Sequence, residues 1–275
     1  MTELLMRESR FISDQQFKQI RDWLYERSGI HLNATKKSLV TGRLYKRLTE
    51  LDLADFDAYL QLLRNPLQSK EAELALNLLT TNETYFFREP KHFDFLHSLI
   101  AQGELNKRVR VWSAAASTGE EAFSIALALA SQFGLQEPWQ VIGTDINTRV
   151  LQQARSAVYP LPDSQKIDPA LLKAFCVKGV GKDEGWFRIR PQVRQHVQFQ
   201  QHNLMQPLLV AQKFDLIFLR NVLIYFELED KKRIVLNMLE ALKPGGFLLV
   251  GHSESIHGYD PRLVQQRPAC YRYMP

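Results

Sequence analysis

The sequence has few cysteines and no long apolar run. Cys176 and Cys270 are its two cysteines, and their wide separation forms no metal or redox motif, so we expect free thiols that pack in the interior. It contains no run of about 18 apolar residues, the length that crosses a membrane. The first residues, MTELLMRESRF, carry acids and lack the apolar core of an export signal. We therefore expect a cytoplasmic protein without membrane insertion.

The glycine motifs of the common nucleotide-binding folds are also missing. There is no G-x-G-x-x-G and no P-loop, which argues against a dinucleotide or a nucleoside triphosphate. Instead, VRVWSAAASTGEEAFSIALALA at 109–130 predicts a strand, a tight turn ending in Gly119 and an amphipathic helix. Glu120 and Glu121 suit the positive end of the helix dipole but would repel a phosphate there. They also fit a simple helix cap.

Asp145 narrows the choice of ligand. It ends the apolar run WQVIGTD, and the first acidic residue in this place of a doubly wound sheet commonly binds a ribose diol. A ligand with a ribose and a positive centre fits both Asp145 and the two glutamates. S-adenosylmethionine has both features, in its ribose and its sulfonium.

The pattern along the chain predicts two parts. With 45% hydrophobic and 24% charged residues, the chain is expected to be globular. Residues 11 to about 80 show helix-period apolar positions, whereas strands and helices alternate from Lys107 onward, which predicts an α/β fold with a doubly wound parallel sheet. Pro244-Gly245-Gly246 is expected to stop the last helix. The predicted domains are 1–80 (helical), 81–106 (a linker contributing to the active site) and 107–275 (cofactor-binding and catalytic).

One segment interrupts the alternation. Residues 178–194 carry Gly179, Gly181 and Gly185, followed by the alternating WFRIR, which predicts an inserted, glycine-turned β hairpin. Such a hairpin serves as a structural flap, the interpretation we rank first, or as an edge that accepts a peptide strand.

Positive charge is concentrated in the helical part. The formal net charge is +5, and no acid occurs between Glu26 and Glu50. On one helix, Lys36, Arg43 and Arg47 would share a face. That face is either solvated or docks an acidic partner, a nucleic acid or an acidic protein helix. The basic residues of this stripe are Lys36, Lys37, Arg43, Lys46 and Arg47.

Polar residues at predicted strand ends are candidates for the site. Open α/β sheets bind ligands at the carboxyl ends of their strands, where Asn203, Arg220, Asn221 and Tyr225 occur. The segment TNETYFFR, at 81–88, lies between the two parts. Each of these residues alone is better explained as an ordinary loop side chain. His252 and His257 lack a third ligand, so we expect a polar loop and no metal.

Five motifs together resemble one family. TNETYFFRE, WSAAASTGEEAFSIA, GTDI, FDLIFLRNVLIYF and LKPGGFLLVGHSE, in this order and spacing, are similar to the CheR chemotaxis-receptor methyltransferases. The resemblance spans nearly the whole chain. It implies a Rossmann-like class I methyltransferase sheet, a helical N-terminal domain and a small inserted β subdomain. The implied reaction is S-adenosylmethionine-dependent methyl esterification of glutamates on cytoplasmic helices of bacterial chemoreceptors, giving glutamyl methyl esters and S-adenosylhomocysteine, without a metal and as a monomer.

The resemblance also implies roles for residues. Arg88 and Tyr225 would lie beside the transferred methyl group, and the basic stripe would dock the receptor. In some members the hairpin binds a tethering peptide from the receptor C-terminus; the three glycines resemble those members, and use of a tether here is left open. The implied cofactor contacts are Asn82, Thr84, Arg88, Ala115, Glu121, Asp145, Asn203, Leu204, Arg220 and Asn221.

The chemistry of such a reaction is consistent with these residues. A glutamate, with a pKa of about 4.3, is already an anion at neutral pH, so methyl transfer needs alignment and no general base. Arg88 would orient the carboxylate, and the Tyr225 hydroxyl would hydrogen-bond the carboxylate or the cofactor. Two other classes remain: an RNA methyltransferase with the stripe on phosphates, and a non-catalytic S-adenosylmethionine sensor, which would not need Arg88 and Tyr225.

Overall fold

The computed structural model describes residues 11–275. The expected lack of an export signal concerns residues 1–10, which lie outside this range. In the described part, no helix is long and apolar enough to cross a membrane. Contacts divide the chain into two units: a helical unit that ends at Thr81 and also includes Tyr225–Glu227, and a sheet unit made of Asn82–Ile224 and Leu228–Pro275.

The helical unit is built as the apolar periodicity predicts. Ser13 begins the first helix with a capping box, in which its side chain and that of Gln16 bond each other's backbone N–H, and Gly29 ends it in the left-handed region. One face of each helix is buried, as shown by Leu24, Leu44 and Leu63. The helices are α1 (Asp14–Ser28), α2 (Lys37–Glu50), α3 (Phe56–Arg64) and α4 (Ser69–Leu79), with 3-10 turns at Ala34–Lys36 and Pro66–Gln68.

The sheet unit contains a mostly parallel seven-stranded sheet. Its strands are β1 (Arg110–Ala114), β2 (Gln140–Asp145), β6 (Val197–Gln201), β7 (Phe214–Leu219), β8 (Leu242–Val250), β9 (Leu263–Arg267) and β10 (Cys270–Tyr273). They lie in the order β6-β2-β1-β7-β8-β10-β9, and the first five are parallel. β10 pairs antiparallel with both β8 and β9. The order reverses at β1 and β7, which places the carboxyl ends of these two strands at the ligand-binding position of a doubly wound sheet.

The helices of this unit alternate with the strands. They are α5 (Lys91–Ala101), α6 (Glu120–Phe133), α7 (Thr148–Ser156), α8 (Pro169–Phe175), α9 (Pro191–Arg194) and α10 (Leu228–Ala241). Every residue of α6 from Ala122 to Ala130 is buried. This explains why its sequence is apolar on all sides rather than on one stripe. The predicted α/β class with a doubly wound parallel sheet is confirmed.

The predicted hairpin is part of a small second sheet. β4 (Cys176–Lys178) and β5 (Trp186–Ile189) pair antiparallel, as expected, with the 3-10 turn Gly181–Asp183 between them. A third strand, β3 (Val158–Pro160), pairs with the other edge of β5. Sequence reasoning missed β3 because its three residues are too few to show a period of two.

Two local expectations were wrong. Lys36 lies in a 3-10 turn rather than in α2, so the predicted face of Lys36, Arg43 and Arg47 on one helix does not include it. Pro244-Gly245-Gly246 does not stop α10, because α10 ends at Ala241 and β8 follows at once. Residues 243–246 instead form an irregularity of β8 opposite Asp215, whose carboxylate accepts a 2.7 Å bond from Lys243 Nζ.

The two cysteines are free and buried, as predicted. Burial raises the pKa of Cys176 to about 12 and that of Cys270 to about 11. Both therefore remain thiols at neutral pH and act as apolar packing groups.

Candidate active site

The loop after β1 is tightly wound. Ala115 and Ser117 have φ of 66° and 51°, in the left-handed region that favours glycine, and Gly119 has φ of 96°. A Cβ on Gly119 would stand 2.8 Å from the Ala154 Cβ, so only glycine fits here. Strained backbone of this kind is retained where the surroundings fix it, often around ligands.

Asp145 holds this loop through its carboxylate. Oδ2 accepts a 2.9 Å bond from Ser117 N, and Oδ1 accepts a 2.9 Å bond from Asn147 N. Burial raises the pKa of Asp145, while these backbone bonds act in the opposite direction. Each carboxylate oxygen accepts up to two hydrogen bonds, so acceptor capacity remains for a ribose diol.

The two glutamates at the start of α6 differ in their partners. Glu120 accepts a 2.6 Å bond from Thr118 Oγ1, whereas Glu121 accepts a 2.7 Å bond from Ser113 Oγ on β1. Burial raises the pKa of both. For Glu121, the positive charge of Arg220 and the Ser113 hydroxyl oppose that rise.

The segment before α5 packs onto α6. Phe87 N donates to Ser124 Oγ at 2.9 Å, and the Ser117 hydroxyl donates to the Asn82 carbonyl at 2.8 Å. Thr84 lies half-buried in the same segment. The Arg88 side chain folds back, with Nη1 donating 2.9 Å to the Glu83 carbonyl.

Arg220 lies just past the end of β7 with its side chain 1% exposed. Its Nε lies 3.5 Å from both Glu89 Oε2 and Glu121 Oε2, and its Nη2 donates to the Arg88 carbonyl. Its Nε and Nη1 have no hydrogen-bond partner among the described residues. Asn221 has a φ of 54°, and its Nδ2 donates 3.1 Å to Glu89 Oε1. These two predicted residues are thus joined by Glu89, which was not predicted.

Two other predicted contacts follow β6. Asn203 Oδ1 accepts a 3.0 Å bond from Met205 N, and the Leu204 carbonyl accepts a 2.9 Å bond from Asn237 on α10. Tyr225 ends the 3-10 turn Leu223–Tyr225 and is grouped with the helical unit, where its carbonyl accepts a 2.8 Å bond from His31 N. The role of its hydroxyl stays a prediction.

Glu89, His92 and His252 lie close together, although no sequence motif groups them. Their candidate metal-ligand atoms all lie within 4.8 Å of one another. His92 is 1% exposed, and neither of its ring nitrogens has a hydrogen-bond partner among the described residues. The expectation that the protein needs no metal therefore stays a prediction.

The basic stripe is largely engaged within the helical unit. Arg43 Nη1 donates to the carbonyls of Leu79 and Thr80, at the end of α4. Arg47 pairs with Glu71, and Lys37 pairs with Asp14 at 2.6 Å. Lys36 and Lys46 are exposed, and Lys46 Nζ lies 3.7 Å from Glu50 Oε1 on the same helix. Docking by the stripe stays a prediction for all five residues.

Comparisons with known proteins match both units. A family described as "CheR methyltransferase, SAM binding domain" matches residues 82–270, and "CheR methyltransferase, all-alpha domain" matches residues 15–80. The chemotaxis protein methyltransferase of Escherichia coli (strain K12) is 40% identical over 98% of this chain and 94% of its own length. That of Salmonella typhimurium is 41% identical over 92% of this chain and 88% of its own. The chain belongs to the CheR methyltransferase family.

The likeness to solved structures is looser. The crystal structure of the glycopeptide N-methyltransferase MtfA aligns with a TM-score of 0.39 and 16% identity, covering 77% of this chain and 70% of that chain. The resemblance noted from the five motifs is confirmed by the CheR family matches. The sheet unit is accordingly an S-adenosylmethionine-binding methyltransferase domain.

The described residues of this CheR protein fit S-adenosylmethionine. Asp145 keeps acceptor capacity for the ribose hydroxyls, and Arg220 Nη1 is a buried donor without a partner, which suits the cofactor's carboxylate. S-adenosylmethionine has no pyrophosphate, so its site does not need a set of backbone N–H groups to bind one.

Sequence reasoning missed Glu89, His92 and Glu254. Glu254 Oε2 accepts from Asn221 N at 2.8 Å and from Gly251 N, so it joins the ends of β7 and β8. A weak signal existed for the first two, because Glu89 and His92 are three residues apart at a helix start, where side chains approach one another. No local pattern connects either to residues 220–254.

Proposed function

We propose that this chain transfers a methyl group from S-adenosylmethionine to glutamate side chains on the cytoplasmic helices of bacterial chemoreceptors. The products would be glutamyl methyl esters and S-adenosylhomocysteine, and the role would be chemotactic adaptation. The observation that carries this proposal is the 40% identity to a chemotaxis protein methyltransferase over nearly the full length of both chains. A soluble cytoplasmic monomer is part of the proposal.

The reaction places few demands on proton transfer. The acceptor carboxylate is an anion at neutral pH, with a pKa of about 4.3, so the site needs no general base. S-adenosylmethionine supplies a methyl group on a positively charged sulfur. The protein must hold the acceptor oxygen in line with that methyl, and such positioning is worth about 7–11 kcal/mol of the barrier.

Arg88 and Tyr225 are the residues proposed to orient the acceptor. The Arg88 guanidinium lies 5.7 Å from the Tyr85 ring centroid and donates a hydrogen bond to a backbone carbonyl, and it forms no ion pair with a carboxylate in residues 11–275. It can therefore turn toward a substrate anion without first breaking an ion pair. The cofactor contacts proposed are the ten residues predicted from the family pattern, of which Asp145 and Arg220 are best supported by geometry.

The helical domain, 1–80, is proposed to dock the receptor, with 81–106 as a linker that contributes to the active site and 107–275 as the catalytic domain. Since Arg43 and Arg47 are engaged inside the helical unit, we assign the docking charge chiefly to Lys36 and Lys46. Reversing both charges should raise the KM for a receptor fragment without lowering the unfolding temperature. The effect should shrink at high salt, because exposed charges are screened.

The small sheet is proposed to bind a receptor tether peptide near Gly179, Gly181 and Gly185. Trp186 on β5 is 46% exposed and would report such binding by its fluorescence. Titration with peptides from chemoreceptor C-termini should shift that signal in a saturable way. A flat titration would leave the sheet as a structural flap.

The test of the main proposal is transfer of labelled methyl from S-adenosylmethionine to chemoreceptor cytoplasmic fragments, followed by mild alkali. Release of labelled methanol, lost when the receptor glutamates are changed to alanine, is the expected result. Alkali-stable label on RNA would indicate the other substrate class. Cofactor binding without transfer to any receptor fragment would favour a sensor.

A further inference from the structure

We infer that Glu89 is a positioning residue that holds Arg220 and Asn221 in the orientation in which they contact the cofactor. This inference rests on the proposed function, because it takes the cofactor contacts of Arg220 and Asn221 as given. Glu89 itself is assigned no contact with the cofactor or the acceptor.

The first observation is the set of groups that Glu89 joins. Its Oε1 accepts 3.1 Å bonds from Asn221 Nδ2 and from His252 N. Its Oε2 lies 3.5 Å from Arg220 Nε and 3.3 Å from His92 Nδ1. One carboxylate thus connects the segment before α5 with the residues that follow β7, at the reversal of strand order, and β8, its neighbour in the sheet.

The second observation is backbone geometry. Glu89 has a φ of 58° and Asn221 a φ of 54°, both in the left-handed region, which asparagine adopts fairly readily but glutamate adopts rarely. Such conformations persist only where surrounding contacts hold them. The contacts at hand are the Glu89–Asn221 side-chain bond and the bond from Asn221 N to Glu254 Oε2.

The third observation is the state of Arg220. Its guanidinium stands between two carboxylates, with Nε 3.5 Å from Glu89 and from Glu121, and its Nη2 bonds the Arg88 carbonyl. These neighbours fix the plane of the guanidinium and leave Nη1 buried without a partner. A fixed donor that is unpaired in the protein alone is what a bound anion requires, since it loses little freedom on binding.

Glu89 is ionised in this setting. Burial raises its pKa, but His92, Asn221 and the charge of Arg220 together outweigh burial and lower the pKa to about 2. The carboxylate is therefore an anion at neutral pH and attracts the Arg220 guanidinium.

A metal bound by Glu89, His92 and His252 is the competing explanation. The Arg220 guanidinium argues against it, because it already lies 3.5 Å from the Glu89 oxygen that such a cation would use, and like charges that close repel. The other oxygen already accepts two hydrogen bonds.

The test measures binding of S-adenosylhomocysteine by calorimetry in the full chain, with thermal unfolding recorded alongside. Glu89→Gln keeps the size of the side chain and an acceptor for Asn221 but removes the charge. We expect its Kd, measured at a temperature where the variant is still fully folded, to rise about tenfold because a charge-assisted contact is lost. The unfolding temperature should fall as well, because the ionised carboxylate also stabilises the fold. Asp94→Asn is the matched control, since it removes an exposed acid from the first turn of α5 and should leave the Kd unchanged.

A double-mutant cycle separates positioning from mere stability. If Glu89 acts through Arg220, Glu89→Gln should weaken binding much less in the Arg220→Ala background than in the wild type. Equal effects in both backgrounds would overturn the inference. A lower unfolding temperature with unchanged Kd in Glu89→Gln would also overturn it.

Two further measurements test the cofactor contact of Arg220 and the metal alternative separately. If Arg220→Ala binds S-adenosylhomocysteine like the wild type, the proposed contact of Arg220 fails, whatever Glu89 does. Elemental analysis of the purified chain before and after EDTA tests the metal. One tightly held divalent ion per chain, lost in His252→Ala, would overturn the inference in favour of a metal site.

Discussion

Arg47 and Glu71 form an ion pair inside the helical unit, with Arg47 Nη2 2.7 Å from Glu71 Oε2. Their side chains are 18% and 10% exposed. Arg47 Nε donates to the other Glu71 oxygen at 3.0 Å, and the Tyr59 hydroxyl donates to that same oxygen at 2.7 Å. The pair therefore fastens α2 to α4 and to α3.

Arg47→Ala should destabilise the helical unit by about 3 kcal/mol, because it leaves Glu71 charged and poorly solvated. Tyr59→Phe, which loses one hydrogen bond to Glu71, should cost about 1 kcal/mol. Chemical denaturation followed by circular dichroism measures both. Lys46→Ala, on the same helix but exposed, is the control and should stay within about 0.5 kcal/mol of the wild type.

If Arg47→Ala unfolds like the wild type and only the KM for a receptor fragment rises, Arg47 acts in docking and the structural assignment is wrong. Sequence reasoning had no means to separate these roles. Arg47 belongs to a basic stripe in the sequence, and its partner Glu71 is 24 residues away on another helix.

Contacts between residues that are distant in sequence also separate what was predictable in the sheet unit from what was not. The class of fold followed from the alternation of apolar strands and helices, and Asp145 was located because it ends a strand in a predictable place. Glu89, by contrast, acts on Arg220, Asn221 and His252, which lie at least 131 positions along the chain from it. Only the folded order of β1, β7 and β8 brings these groups together, and no local pattern encodes it.

Asp145→Asn should weaken S-adenosylhomocysteine binding by at least tenfold. The Asp145 carboxylate accepts hydrogen bonds from two backbone N–H groups. In asparagine, an NH2 group would replace one of the oxygens, so it would face a backbone donor, and an acceptor for the ribose hydroxyls would be lost as well. Calorimetry gives the Kd. Asp183→Asn, on the exposed turn before β5, is the matched control. Equal binding by Asp145→Asn and the wild type would remove Asp145 from the cofactor site.

Arg88→Ala and Tyr225→Phe should reduce turnover more than cofactor binding, since both are proposed to act on the acceptor near the methyl. We expect kcat to fall at least about tenfold in both variants, with a smaller rise in the Kd for S-adenosylhomocysteine, which in Arg88→Ala includes the loss of its proposed cofactor contact. Initial rates with a receptor fragment and calorimetry supply the two numbers. Unchanged turnover in both variants would contradict their roles.

The stability of the chain should depend on Glu89 at acid pH. Its pKa is lowered from 4.5 to about 2, so the folded state binds a proton at this site less readily than the unfolded state. The stabilisation is present above about pH 4.5 and is lost as the pH falls toward 2, and it amounts to about 3 kcal/mol by linkage. The buried acids with raised pKa, such as Asp145 and Glu254, contribute with the opposite sign.

The contribution of Glu89 is isolated by comparing the unfolding free energies of the wild type and Glu89→Gln. Both are measured by urea denaturation from pH 7 down to the lowest pH at which the wild type still folds. The glutamine does not titrate, so the buried acids common to both proteins cancel in this difference. We expect the difference to be largest at pH 7 and to shrink steadily below pH 4.5. A difference that stays constant across this range would mean that Glu89 has an ordinary pKa in the folded protein, and that Arg220 is held by Glu121 alone.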